Sequence, residues 1–375
     1  MPYIRKQPHV LIEETLDCTK ASYGTPRSAN TALEGLESRP ADRYAYGSYL
    51  QYELDFIATP AGGAADCPPE KLVQVLKSVF LGYAGLVPPR RNNLSGLDIV
   101  RLSQQLDENL APDVVDSYLP IIDLAAAGGA QAVHLCIVDP LGIQFPKGTS
   151  GKETGLIPVS ELADGGDLKV TCIGTTALMA GWTIGDIDLK VTLMTEEFDE
   201  PLEHVQVVEE SEDYAQGKAV LPGIGERLYS AIAVTDDEDG AFTQPVAMGV
   251  QVDGAMILAN RKGADLVVEE DMSRLVGVND VFPAICPIIT LSGRRLDEAL
   301  PVRDKIILHN ANDSHAGSYR VLVRYSKKLD RNTQRAIQLK HKVPADLVDR
   351  FLSEMEARPN ADATIGRVTV AMRAS

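Results

Sequence analysis

The residues of this chain that could do chemistry are few, and none falls into a complete motif. Gly223-Ile224-Gly225-Glu226-Arg227-Leu228 opens as a dinucleotide loop does, but the third glycine is missing and no strand–helix–strand pattern surrounds it. Gly148-Thr149-Ser150-Gly151-Lys152 resembles a phosphate loop, in which backbone N–H groups and a lysine cradle the anion. There Pro146 occupies the first glycine position and Glu153 the position that needs Ser or Thr, so a solvated turn is expected. Asp236-Asp237-Glu238-Asp239-Gly240 has the composition of a calcium loop, yet that register puts Thr235 at the first ligand position and Val246 at the bidentate one. An acidic hairpin tip is expected, with a loosely held divalent ion as the lesser reading. Glu209-Glu210-Ser211-Glu212-Asp213 reads as a solvated loop.

The six histidines, His9, His134, His204, His309, His315 and His341, form no H-E-x-x-H. His309 and His315 flank a polar loop and could meet a metal across a hairpin, but a plain surface role is favoured. No G-x-S-x-G elbow offers a hydrolase serine. The single tryptophan, Trp182, sits in a loop before a strand, with burial as the default. Cys18, Cys67, Cys136, Cys172 and Cys286 make no C-x-x-C pair and are odd in number, so free thiols are expected rather than disulfides or a zinc site. Carboxylate pairs for glycoside hydrolysis cannot be recognised from spacing, since their separation is three-dimensional. The expectation is no catalytic residue, no cofactor and no metal site.

Composition narrows the class further. The chain has 375 residues, enough for two domains, and an apolar fraction of 45%, enough for sizeable cores. Its net charge of −17 argues against a broad nucleic-acid or anionic-membrane surface, both of which need a basic face. The most apolar long stretch, 119–143, is broken by Asp123, His134, Asp139 and Pro140 and cannot span a bilayer, and the N-terminal segment has no signal-like apolar core.

The elements that must carry these residues are mostly strands. Residues 1–46 have weak periodicity, turn formers and balanced charge, and read as an extended arm. Alternation of apolar and polar residues marks strands at Tyr49–Ile57, Val79–Val87, Tyr118–Leu124, Val133–Val138, Leu168–Ile173 and Ile187–Met194. Short helices are expected at Pro69–Val79, opening on proline, and at Leu94–Leu106, capped by Ser95. In the second half, strands are expected at Tyr229–Thr235, Phe282–Thr290, Lys305–His309 and Tyr319–Tyr325, with a Val-Asp-Gly hairpin at 252–254. Pro344–Ala357 has the spacing of an amphipathic helix, and Gly366–Met372 alternates as a last strand. Six segments of the first half, including the helix at 96–106, find counterparts in the same order in the second, Gly263–Leu275 paralleling that helix. A duplicated domain of about 150–170 residues is inferred.

Strands separated by turns, with few helices, indicate sandwiches. The segments YLQYELDFIAT at 49–59, LKSVFLGYAGLV at 76–87, NLSGLDIVRLSQQL at 93–106, LPIIDLA at 119–125, GLIPVSEL at 155–162, DLKVT at 167–171 and IDLKVTLM at 187–194 resemble the first roll of the double jelly-roll major capsid proteins of tailless icosahedral bacteriophages. The likeness covers roughly residues 48–335 and is one of architecture. It implies an all-β fold of two tandem jelly-roll β-sandwiches with a few short helices in connecting loops. The expected division is an arm at 1–47, a first roll at 48–202, a second at 203–343, and a helix and tail strand at 344–375.

The resemblance also implies a structural virion protein, made in the host cytoplasm and located in the capsid. Its partners would be itself, as a homotrimer forming a pseudo-hexagonal capsomer, then neighbouring capsomers, with minor capsid or penton proteins and an inner membrane beyond. No sequence-specific nucleic-acid binding is expected. The alternatives are a carbohydrate- or receptor-binding spike or adhesin, and a glycan hydrolase on a double jelly-roll scaffold. Aromatics at 5% and one tryptophan weigh against sugar stacking.

Overall fold

The computed structural model describes residues 3–18, 27–32, 44–83, 89–100, 124–141, 153–154, 156–163, 166–198, 203–204, 206–214, 218–222, 227–238, 241–243, 247–262, 288–289, 300–302, 304–310, 318–327, 332, 335–336, 339 and 345–356. The chain divides into two compact units, one of residues 1–143 and 155–204 and the other of 144–154 and 205–375.

The first unit holds β1 (Tyr3–Leu16), β2 (Arg27–Ala32), β3 (Tyr44–Pro60), β4 (Leu76–Gly82), β5 (Arg91–Leu94) and β6 (Gln131–Pro140). After β7 (Glu153–Thr154) come β8 (Ile157–Pro158), β9 (Asp167–Cys172), β10 (Trp182–Ile184), β11 (Ile187–Phe198) and β12 (Glu203–His204). One sheet runs β1-β11-β3-β6, with β10 and β8 also pairing β3, and the other runs β5-β4-β9-β2. All these pairings are antiparallel.

Alternation decides which faces meet. Along β3, Leu50, Tyr52, Leu54, Phe56 and Ala58 are buried while Asp55, Ile57 and Thr59 are exposed. Leu135 and Ile137 of β6 and Leu189, Val191 and Leu193 of β11 add to that buried face, and Val79, Leu81, Leu168 and Val170 supply the facing one. Each fully buried aliphatic side chain contributes roughly 1.5–3 kcal/mol, so these two inner faces supply the driving force for the sandwich. On the outer face Lys190 Nζ lies 3.3 Å from Glu53 Oε2, and His134 Nδ1 lies 2.7 Å from Asp55 Oδ1. Such exposed pairs contribute at most about 1 kcal/mol each.

The second unit holds β13 (Gln206–Tyr214), β14 (Lys218–Pro222), β15 (Arg227–Glu238), β16 (Ala241–Thr243), β17 (Ala247–Val252) and β18 (Ala255–Lys262). It continues with β19 (Ile288–Ile289), β20 (Leu300–Val302), β21 (Lys305–Asn310), β22 (Ser318–Lys327) and the helix Ala345–Glu356. Here β13-β22-β15-β16 are neighbours in one sheet, with β19 and β20 also on β15, and β14-β21-β17-β18 form the other. The Val-Asp-Gly signal is the β17–β18 turn: Val252 pairs Ala255, with Asp253 at φ 47° and Gly254 at φ 88°. Both positive angles suit a two-residue turn whose twist matches the strands.

The two units share one plan. In chain order β1, β2, β3, β4, β5, β6, β9 and β11 occupy the same sheet positions as β13, β14, β15, β17, β18, β19, β21 and β22. Each is a jelly roll. The duplication expected from six matched segments holds for β3 with β15, β9 with β21 and β11 with β22; β19, within the segment matched to 118–123, takes the place of β6, and 263–275 lies outside the described residues.

Several expectations change. The segment expected as an arm at 1–47 carries β1 and β2, and β1 pairs β11 from Tyr3 opposite Phe198 to Leu16 opposite Ile187. Edge strands carry charge and proline, which blur alternation, and Pro8, Glu13 and Glu14 do so here. The helix expected at Pro69–Val79 is only Pro69–Val73, and the next strand begins at Leu76. The Ser95-capped helix is described over 96–100: Ser95 N–H and Oγ–H donate to Asp98 Oδ2 at 2.9 and 2.8 Å, and Asp98 N–H donates to Ser95 Oγ at 3.1 Å. This reciprocal box satisfies helix-end donors. Tyr118–Asp123, Gly263–Leu275, Phe282–Pro287 and Gly366–Met372 lie outside the described residues.

Deleting residues 1–17 uncovers β11 and removes buried Ile12 and Leu16, so the truncated protein should aggregate or lose several degrees of Tm by scanning calorimetry. A Cβ at Gly96 would collide with the Val73 carbonyl oxygen, so Gly96→Ala should destabilise by about 1–3 kcal/mol in urea unfolding.

Candidate functional site

Among the described residues of the first roll, a group of charged side chains lies in the interior. Arg91, on β5 of one sheet, is 1% exposed, and Asp139, on β6 of the other, is 2% exposed. The Arg91 guanidinium grips the carboxylate with Nε at 3.1 Å from both oxygens and Nη2 at 2.5 Å from Oδ1. Nη2 also donates to the Pro140 carbonyl at 2.7 Å. Tyr52, fully buried on β3, donates its hydroxyl to Asp139 Oδ2 at 3.3 Å. Beside it Arg90 Nη2 donates to the Leu141 carbonyl at 2.8 Å. Burial, and next the Asp139 charge, hold the Tyr52 phenol well above its ordinary range. Burial likewise raises Tyr83, with the Arg90 and Glu161 charges acting on it in opposite directions.

A planar guanidinium matched to a carboxylate and fixed by a phenol is a positioning device. With its members 2% exposed or less, it offers no approach for a substrate and ties the two sheets together through their interior. No sequence motif points to it. Its only signal is charge in apolar surroundings: Asp139 closing the strand VHLCIVD and the Arg90-Arg91 doublet after two prolines. Position in the fold, with Leu50 opposite Asp139 in the β3–β6 ladder, brings Tyr52 and Asp139 to one end of the roll.

The residues weighed for chemistry are dispersed. Gly223–Glu226 lie outside the described residues, and Arg227-Leu228 begin strand β15, not the helix a dinucleotide loop requires. Gly148–Lys152 also lie outside, and Glu153-Thr154 form β7, again a strand. Asp236–Glu238 end β15, which returns as β16 with Glu238 opposite Ala241, as expected of a hairpin. Glu209–Asp213, expected as a solvated loop, belong to β13 in full register with β22, Glu209 opposite Arg324 and Asp213 opposite Arg320. Glu209 is fully buried and Ser211 nearly so. The charge run hides a strand because ladder hydrogen bonding is indifferent to side-chain polarity.

His309 lies on β21 opposite Lys218 and Gly249, while His315 is outside the described residues. Among the described residues no group of three or more His, Cys, Asp or Glu is placed to hold a metal ion. Trp182 starts strand β10 rather than preceding a strand; it is buried, and its Nε1–H donates to the Ala65 carbonyl at 2.8 Å. Cys18, Cys67 and Cys172 are buried thiols and Cys136 is half-buried. No helix among the described residues is long and apolar enough to cross a membrane.

Two sandwiches of one strand order in a single chain define a double jelly roll. No protein-family model matches the sequence, and no curated protein does. Solved structures do. The crystal structure of the major capsid protein of Sulfolobus turreted icosahedral virus superposes with a TM-score of 0.55 at 12% identity, covering 88% of this chain and 98% of that one. The same protein in the atomic structure of the virus gives 0.54 at 12% identity, covering 96% and 98%. At this identity the likeness is one of fold, and it extends over both rolls.

Removing one partner of the buried pair strands the other charge in the interior. Asp139→Ala should therefore destabilise the protein by about 3–5 kcal/mol in urea unfolding, and the apolar double variant Arg91→Met/Asp139→Leu should recover most of that loss.

Proposed function

We propose that this chain is the major coat protein of an icosahedral virus, three copies closing into a trimer whose six rolls form a pseudo-hexagonal capsomer. The observation that carries this reading is the doubled roll itself: two sandwiches with the same strand order, in a fold shared end to end with the major capsid protein of the archaeal virus. With two rolls per chain, a closed ring of three chains is the simplest way to set six similar sandwiches around one axis and bury their sides. Permanent interfaces of this kind exceed about 2,000 Å².

The mechanism is assembly without turnover. Two of the buried carboxylates serve structure: Asp98 caps a helix and Asp139 is held by Arg91. The capsid is then the site of action, and neighbouring capsomers are the principal partners. Minor capsid or penton proteins and an inner membrane are further partners in this reading.

Native mass spectrometry of the purified protein should give a species of three chains; a monomer across the working concentration range would reject the trimer. With −17 on each chain, association should also strengthen as salt or divalent cations screen repulsion. Association that weakens between low and physiological ionic strength in sedimentation velocity would contradict that electrostatic account.

A further inference from the structure

We propose that Cys18 and Cys172 form a reversible disulfide that staples the end of β1 to β9, locking the first roll's edge strand across its two sheets. Cys18 lies two residues beyond β1, and Cys172 is the last residue of β9, so the two belong to chain segments of opposite sheets. The Cys18 Sγ is 3.7 Å from the carbonyl oxygen of Ile173, the residue that follows Cys172. Thr175 Oγ1 donates to the Cys18 carbonyl and pins that turn of chain against the same segment. Both thiols are buried, at 4% and 0% exposure. The Cys18 thiol lies within electrostatic reach of Cys172 and adds to the upward push that burial gives it.

The chemistry needs a low-molecular-weight disulfide, RSSR, as oxidant. When the end of β1 frays and uncovers the pair, the thiolate of one cysteine attacks a sulfur of RSSR and releases one RS⁻; the second cysteine's thiolate attacks the mixed disulfide and releases another. The protein loses two thiol protons and two electrons, and RSSR becomes two RSH. Because burial keeps Cys172 protonated, closure should be slow at neutral pH and faster at alkaline pH. In a reducing cytoplasm the pair stays open, and in an oxidising medium it closes. The loop it would tie, from 18 to 172, is long, so the restraint on the unfolded chain is large. The inference stands whether or not the chain builds a shell.

The test is incubation of the full chain with oxidised glutathione, followed by unreduced peptide mapping and calorimetry. A peptide pair joining Cys18 to Cys172, lighter by two hydrogens than its thiols, is expected. It should come with a rise in Tm of about 5–10 °C that dithiothreitol reverses. Cys18→Ser and Cys172→Ser should each abolish both effects, while Cys67→Ser and Cys136→Ser keep them. The linked peptide is read in the unsubstituted protein, so the outcome does not depend on any variant folding. Glutathione found on Cys136 alone, or Cys18 joined to another cysteine, would overturn the proposal.

Discussion

The first roll depends on a charge pair that crosses its interior. Two sheets pressed face to face attract each other through apolar burial, which has no direction and tolerates sliding. Arg91 and Asp139 do not tolerate it. A guanidinium gripping both carboxylate oxygens loses that match if either sheet shifts by a residue, and one unpaired charge would remain in a dry interior. Tyr52, delivered by the central strand β3, ties a third strand to the same point. Hydrophobic alternation chooses which faces meet, and the pair fixes how they meet.

The second unit repeats the strand order without repeating that pair in sequence. What the halves share is topology: an N-terminal strand, a short strand on the other sheet, a long central strand, and a closing strand that pairs with both the first and the third. Keeping that order through two copies gives each chain two sandwiches of one kind. The proposed ring of three chains would draw its six similar positions from that doubling.

Much of this is legible in the sequence wherever a strand has one wet face and one dry face. YLQYELDFI and IDLKVTLM alternate cleanly, and both are strands with alternating burial. Ser95 and the Val-Asp-Gly turn are readable because capping and positive φ restrict residue choice locally. The misses have physical causes as well. Strand β1 looks like an arm because an edge strand needs only one partner and carries charge. Strand β13 looks like a loop because five consecutive polar residues hide a ladder that depends on backbone groups alone. The Arg91–Asp139–Tyr52 group cannot be foreseen, since its members are far apart in the chain and meet only after both sheets have formed.

The central claim is that two rolls per chain are built to close with copies of themselves into a six-lobed unit. Cryo-electron microscopy of the assembled protein tests it most directly. Six density lobes around each capsomer, two per chain and each a β-sandwich, is the result this account requires. Particles in which each chain stands alone, or closes into rings with a number of lobes other than six, would contradict it.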